Sequence, residues 1–160
     1  MNDQLLENFK TRLTATEASF KVMHRAPSNI ALVKYWGKYD PQLPANPSIS
    51  FTLSRAFTET LVFFEPSMSP KINLKFEGKA KPSFIPKVQS FIDRIKDYCP
   101  YLSGYNLEIE TSNSFPHSSG IASSASGMAA FAMAICSLEA TLSVASVNLK
   151  KASFLARLGS

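Results

Sequence analysis

Cysteine is scarce in this chain: Cys99 precedes a proline and Cys136 lies in an apolar run, and there are no others among 160 residues. They form no CxxC pair and no histidine stands at metal-ligand spacing from them, which excludes a disulfide scaffold and a zinc site. Free buried thiols in a reducing compartment are expected. Glycine is sparse too, and its placement excludes two common nucleotide signatures: no GxGxxG occurs, and no Gly-Lys-Ser or Gly-Lys-Thr closes a Walker loop. Long apolar runs are missing. The most apolar stretch, Gly127 to Cys136, falls short of a bilayer, and the first residues lack the basic-then-apolar pattern of a signal segment. These absences predict a cytoplasmic protein with no membrane partner. Basic residues are not gathered into one run either; Lys71, Lys75, Lys79, Lys81 and Lys87 spread over a strand, a turn and a helix start, so nucleic acid is a weak reading.

What is present suits one domain with a substantial core, with 45% hydrophobic and 18% charged residues. Seventeen Lys and Arg against 12 Asp and Glu leave a formal charge of +5, which favours anionic partners without naming one. Alternating apolar residues predict strands at Phe20/Val22, Ile49/Phe51/Leu53, Leu61/Phe63, Ile72/Leu74/Phe76 and Tyr105/Leu107/Ile109, in a mostly antiparallel sheet. Pro86 opens a helix carrying Val88, Phe91, Ile92 and Ile95 at helical spacing, and Pro100 stops it. A central helix is expected from about Ile121 to Leu138, with Met128 and Met133 as core. Ser143 is the expected cap of a last helix through Leu158, with Gly159 at its exit. Leu5, Leu6, Phe9 and Leu13 suit a short amphipathic helix against the domain edge or a second subunit, so a homodimer stays open. Strands followed by helices on one side indicate an α+β sandwich.

The segment Pro116 to Gly127 (PHSSGIASSASG) leads directly into the central helix. Its small residues let a backbone approach an anion closely, its serines offer hydroxyls, and the first turn presents unpaired N–H groups at the positive end of the helix dipole. On residue types alone, a polyphosphate cradle and a serine-capped, tightly packed helix start are equally good readings. A second segment, Ala26 to Lys38, sets the single tryptophan, Trp36, between Lys34 and Lys38 and beside Tyr35 and Gly37. Lysines can serve as point charges for phosphate, and the aromatics as an apolar wall. Solvated lysines and core aromatics at a strand end are the plainer reading of the same residues.

Together, Asn29 to Lys38, Asn46 to Ser50 and Asn113 to Gly127 resemble the diphosphomevalonate decarboxylases, members of the GHMP kinase superfamily with galactokinase, homoserine kinase and mevalonate kinase. The resemblance runs from about Val22 onward. It implies the superfamily's N-terminal nucleotide-binding domain, spanning residues 1–160: a mixed sheet with helices on one side, like domain 2 of ribosomal protein S5. It departs at His117-Ser118-Ser119, where the family has Thr-Ala-Ala. Ala156 to Ser160 looks like the opening of a family motif whose arginine, with a later catalytic aspartate, has no counterpart here. The chain is therefore expected to be the N-terminal part of a longer enzyme and inactive alone.

The resemblance implies ATP-dependent decarboxylation of mevalonate 5-diphosphate to isopentenyl diphosphate through phosphorylation of the 3-hydroxyl, with ATP and Mg2+ bound. In that scheme Lys34 faces the transferring phosphate. Tyr35, Trp36, Gly37, Lys38, Lys87 and Ser160 contact the diphosphate substrate. Asn113, Ser118, Ser119, Gly120, Ile121, Ala122, Ser123, Ser124, Ala125 and Ser126 contact ATP, and Ser124 also helps place the metal. His24 and His117 are not assigned as general bases, and Asp40 is expected to be a solvated loop residue. A kinase of mevalonate or its phosphate, and an RNA-binding module of S5-like fold, are the alternatives.

Overall fold

Apolar alternation runs far enough in two places to build strands of 14 and 18 residues, β1 (Phe20–Val33) and β4 (Ile49–Pro66). In this computed structural model, which describes residues 6–40, 43–116 and 119–159, they pair as an antiparallel hairpin arm. Short strands β2 (Lys38–Tyr39) and β3 (Leu43–Pro44) pair with each other between them. The main sheet is completed by β5 (Ile72–Phe76), β6 (Lys79–Ala80) and β7 (Tyr105–Asn113), in the order β1-β4-β7-β5-β6. It is mixed, because β5 runs parallel to β7 while the other pairs are antiparallel.

The apolar patches Ile49/Phe51/Leu53 and Leu61/Phe63 belong to one strand, not two. Its buried face near the helices is Thr58, Thr60, Val62 and Phe64, so Leu61 and Phe63 point to the other side. Strand periodicity fixes which residues share a face but not which face is covered when both are apolar. Beyond the helices the arm leaves Ile30, Leu32, Ile49 and Phe51 exposed, with Ile30 opposite Phe51. The far sheet face carries the pairs Arg25–Glu59 at 2.9 Å and Lys75–Glu110 at 2.7 Å.

Three helices cover the near face: α1 (Ile85–Ile95), α2 (Ser123–Ser143) and α3 (Leu149–Gly159). Pro86 in the first turn of α1 suits a position whose N–H has no helical partner, and Val88, Phe91 and Ile95 form its buried stripe. Pro100 opens a separate 3-10 turn, Pro100–Gly104, after α1 has ended. Helix α2 packs on β1, β4 and α3, and α1 packs on α3 and β5. By length and composition α2 could cross a bilayer, since it continues past Cys136 to Ser143, but over half of its apolar window is buried inside the domain, 56%.

Ser143 ends α2 and caps nothing downstream; Asn148 caps α3, its Oδ1 accepting from the Lys151 N–H at 3.0 Å. At the N-terminus the expected helix is a single turn at residues 6–9, after which the chain runs irregularly along the domain. Phe9 is nevertheless core, stacked on Phe154 with ring centroids 5.4 Å apart. Leu5 lies outside the described residues.

Val62, Phe64, Phe91, Ile95, Ile135, Leu138 and Leu155 have no exposed surface. Each such side chain contributes about 1.5–3 kcal/mol by leaving water. A polar cluster interrupts this core. Lys151, 1% exposed, donates to Glu139 Oε2 at 2.5 Å and to the Tyr98 carbonyl at 2.8 Å, while the Tyr101 hydroxyl donates to the same carboxylate at 3.1 Å. Both thiols are free and buried; burial pushes Cys99 up to about 11 and Cys136 up to about 12, so neither is a nucleophile at neutral pH.

Candidate functional site

The start of α2 is built differently from a serine-capped helix. Gly120 and Ala122 both take left-handed backbone conformations, φ 79° and 55°, and no side chain caps the helix at Ala122. Ile121 and Ala122 thus precede the helix, and Ser123 and Ser124 are its first two residues. Ala125 N–H donates to the Ala122 carbonyl at 3.0 Å, while no side chain caps the helix start, which leaves the first N–H groups of α2 without a side-chain competitor for an anion. Ser28, 1% exposed, donates to the Ile121 carbonyl and pins the turn to β1. Ser126 is turned inward, its hydroxyl 2.6 Å from that of Thr58 and 3.2 Å from the Ser123 carbonyl, so it braces the helix start and is buried away from any ligand. Ser119, Gly120, Ala122 and Ser124 are exposed, and Ile121, Ser123 and Ala125 half-buried. His117, Ser118 and Ser160 lie outside the described residues.

Beneath the turn, a cavity of about 310 Å³ opens between the sheet, α1 and α2. Its walls are mostly apolar: Leu74, Phe76, Phe84, Val88, Ile109 and Phe131, with Gly127 leaving room on the α2 side. Three threonines, Thr58, Thr60 and Thr111, and Asn113 supply the polar points. Asn113 Oδ1 accepts from Thr58 Oγ1 at 2.8 Å, and its Nδ2 is a buried donor with no hydrogen-bond partner. Because that nitrogen has no access to water, a ligand acceptor in the cavity satisfies it only if the amide turns toward the opening. The mouth is formed by Ser123, Ser124 and Lys87.

Lys87, in the first turn of α1, donates to Ser124 Oγ and so spans 37 residues of sequence to reach the loop. Burial pushes its pKa down, and the nearby charges of Lys38 and Arg94 push it further the same way. Lys87 is thus the cation at the helix start, in a region of positive potential to which Lys38 and Arg94 add, which favours an anion there; Arg94 itself donates to the Leu158 carbonyl at 2.8 Å. Lys38 also lies over the Tyr35 ring, 5.8 Å from its centroid. Gly37 has a φ of 87°, and the hairpin around it is clamped by Asn46, whose Oδ1 accepts from the Trp36 N–H at 2.7 Å and whose Nδ2 donates to the Lys34 carbonyl at 3.3 Å. Lys34, Tyr35, Lys38 and Asp40 are exposed, and Trp36 is 81% so. The structure therefore joins Lys87, Ser123, Ser124 and Asn113 around one opening, with the charge of Lys38 felt at Lys87, and leaves Lys34 and Trp36 on an open surface.

Among the described residues, no group of three His, Cys, Asp or Glu can hold a metal. A hard cation fits here only as Mg2+ often does, on a hydroxyl oxygen such as Ser124 Oγ with phosphate oxygens and water completing its shell. His24 stands away from this chemistry, its Nε2 2.7 Å from Ser137 Oγ of α2. Burial pushes its pKa below 6.5. The folded state thus prefers the neutral ring; its contribution to stability is complete above the unfolded value and is lost as pH falls through the lower folded one. Urea midpoints measured between pH 7.5 and 5 should fall more steeply for the wild type than for His24→Gln, and equal slopes would exclude His24 as the cause.

Asn46 and Gly127 stand in the segments that carry the resemblance but had no assigned role, and the threonine wall was missed. A signal existed for the last: Thr58 and Thr60 interrupt the apolar pattern on the buried face of a core strand, where a polar residue needs a reason.

A family model described as "Diphosphomevalonate decarboxylase-like N-terminal domain" matches residues 26–160. Among curated proteins, the diphosphomevalonate decarboxylase of Candida albicans is 39% identical over 125 residues, 71% of this chain and 34% of its own length. That of Saccharomyces cerevisiae is 35% identical over 128 residues, 71% of this chain and 32% of its own. The chain thus spans about a third of the length of these relatives. Of solved structures, mevalonate diphosphate decarboxylase from Staphylococcus aureus superimposes with a TM-score of 0.74 at 35% identity, covering 90% of this chain and 42% of that one. A further one, "MDDEF in complex with MVAPP, AMPPCP and Magnesium", has a TM-score of 0.73 at 35% identity and covers 89% and 42%.

Proposed function

The chain belongs to the diphosphomevalonate decarboxylase-like N-terminal domain family, and from that premise we propose that it is the nucleotide- and phosphate-binding part of an enzyme converting mevalonate 5-diphosphate to isopentenyl diphosphate and carbon dioxide with consumption of ATP. The observation that carries this reading is the apolar cavity opening onto an uncapped helix start that Lys87 faces. The cavity suits a flat base, with Asn113 Nδ2 as donor to one of its ring nitrogens. The turn at Ser119 to Ser124 takes the phosphates. Lys38 and Lys87 would balance the charge where two phosphate-bearing substrates meet, and the exposed hairpin would supply Lys34 to the transferring phosphoryl and Tyr35, Trp36 and Gly37 to the substrate side. A bound Mg2+ would offset repulsion between the phosphates, with Ser124 as its protein ligand. A homologue carrying a diphosphate substrate, an ATP analogue and magnesium together supports this pairing of sites. A cytoplasmic location goes with the reading, and two unpaired thiols support it.

Calorimetric titration with a non-hydrolysable ATP analogue is the direct test: saturable binding that strengthens with Mg2+ is expected. Ser124→Ala should weaken the magnesium-loaded complex about tenfold, the cost of one hydrogen bond or ligand to a charged group, while leaving the melting temperature unchanged. Tight RNA binding with a steep salt dependence and no nucleotide effect would overturn the reading. Release of ADP without carbon dioxide by an enzyme containing this domain would instead identify a small-molecule kinase.

A further inference from the structure

Lys87 occupies an odd place for a cation. It lies in the first turn of α1, where the helix dipole disfavours positive charge, with Lys38 and Arg94 adding to the same local potential. Its ammonium nevertheless donates to Ser124 Oγ, an uncharged acceptor. Among the described residues, that oxygen is the one hydroxyl at the α2 start that is both exposed and on the mouth of the cavity, since Ser126 is turned inward and Ser123 is half-buried. An ammonium and a divalent cation repel strongly when held on one oxygen.

We propose that Lys87 is a displaceable positioning residue: its ammonium holds the Ser124 hydroxyl in the ligand-free site, then yields that oxygen to Mg2+ and moves its own charge onto a phosphate oxygen when magnesium-nucleotide binds. This rests on the reading of the α2 start as a polyphosphate site. The exchange resolves both conflicts at once. Lys87 gains an anion at the positive end of α1, and Ser124 gains a cation whose charge the phosphate oxygens balance. The lysine stem is unbranched and flexible, and Lys87 is exposed enough to swing. Without metal, Lys87 supplies most of the positive charge that the phosphates meet at this oxygen. With metal, it is partly redundant.

The consequence is a signature in the metal dependence of binding. Titrations of inorganic tripolyphosphate and of a non-hydrolysable ATP analogue, each with Mg2+ and with EDTA, would be run on the 160-residue chain as wild type, Lys87→Met and Lys87→Arg. In EDTA, Lys87→Met should lose about tenfold or more in affinity, as expected for a charge-assisted hydrogen bond to phosphate. In Mg2+ the loss should be less than about threefold, because the metal carries the charge that the lysine carried, so magnesium strengthens binding more in the variant than in the wild type. Lys87→Arg keeps the charge and should restore the EDTA affinity. Equal losses with and without Mg2+ would make Lys87 an ordinary phosphate contact and overturn the proposal, as would no loss in either. Failure of the wild type to bind either probe would sink the site reading itself, an outcome distinct from failure of the exchange.

Discussion

Glu139→Ala is expected to lower the unfolding free energy by about 3–5 kcal/mol, because it strips the carboxylate from an ammonium that has almost no access to water. Lys151 is 1% exposed and has two acceptors, Glu139 Oε2 and the Tyr98 carbonyl. With the first gone, the second cannot balance a full charge, and the Tyr101 hydroxyl falls back on the neutral Ile135 carbonyl, at 3.1 Å. The pair ties α2 to α3 and to the turn before Pro100, so the loss reaches the packing that supports the whole helical layer. Replacing both members by apolar residues of similar size, Glu139→Leu with Lys151→Met, should recover most of the loss. A buried pair contributes little net stability once its desolvation is counted. Urea unfolding of the two single variants and the double variant checks this. A double variant as unstable as the sum of the singles would mean that the cluster itself stabilises the fold.

That cluster also marks where the sequence stops speaking. Helix α1 was legible because Pro86 and the spacing of Val88, Phe91 and Ile95 are local signals, and the helical period carries its own direction. The segments around Trp36 and around Ser123 and Ser124 were legible as chemistry because small, basic and aromatic residues stand side by side in the chain. Interactions that cross the fold were not. Lys87 meets Ser124 only because α1 and α2 flank the same sheet face, and Lys151 meets Glu139 because the chain reverses after Val144. The cap of α3 was misplaced by five residues, since Ser143 and Asn148 are both good cap formers and only the path of the chain between them decides. The side of β4 that meets the helices was illegible for a similar reason: β4 has apolar residues on both faces, so alternation alone cannot assign the core side.

Gly127→Leu should weaken binding of an ATP analogue by at least about a hundredfold while leaving the domain at least as stable as before. Gly127 lies one turn into α2 and lines the cavity, and a Cβ there would meet only Thr58 Cγ2, at an ordinary 3.9 Å. A leucine therefore fits its first atom without a clash, and its branches extend into the space between Thr58 and the apolar wall. Helix propensity favours the change by up to about 1 kcal/mol, which works against any packing loss. A base excluded from the cavity loses its apolar burial and its contact with Asn113 Nδ2 together. Two such losses, of about 1.5 kcal/mol each, correspond to the hundredfold effect. Tripolyphosphate, which has no base, should bind the variant as it binds the wild type, because the turn from Ser119 to Ser124 is untouched. Calorimetry with the two ligands separates the base pocket from the phosphate cradle. If Gly127→Leu bound both as tightly as the wild type, the cavity would not be the base site, and the nucleotide would have to lie across the exposed hairpin beside Trp36.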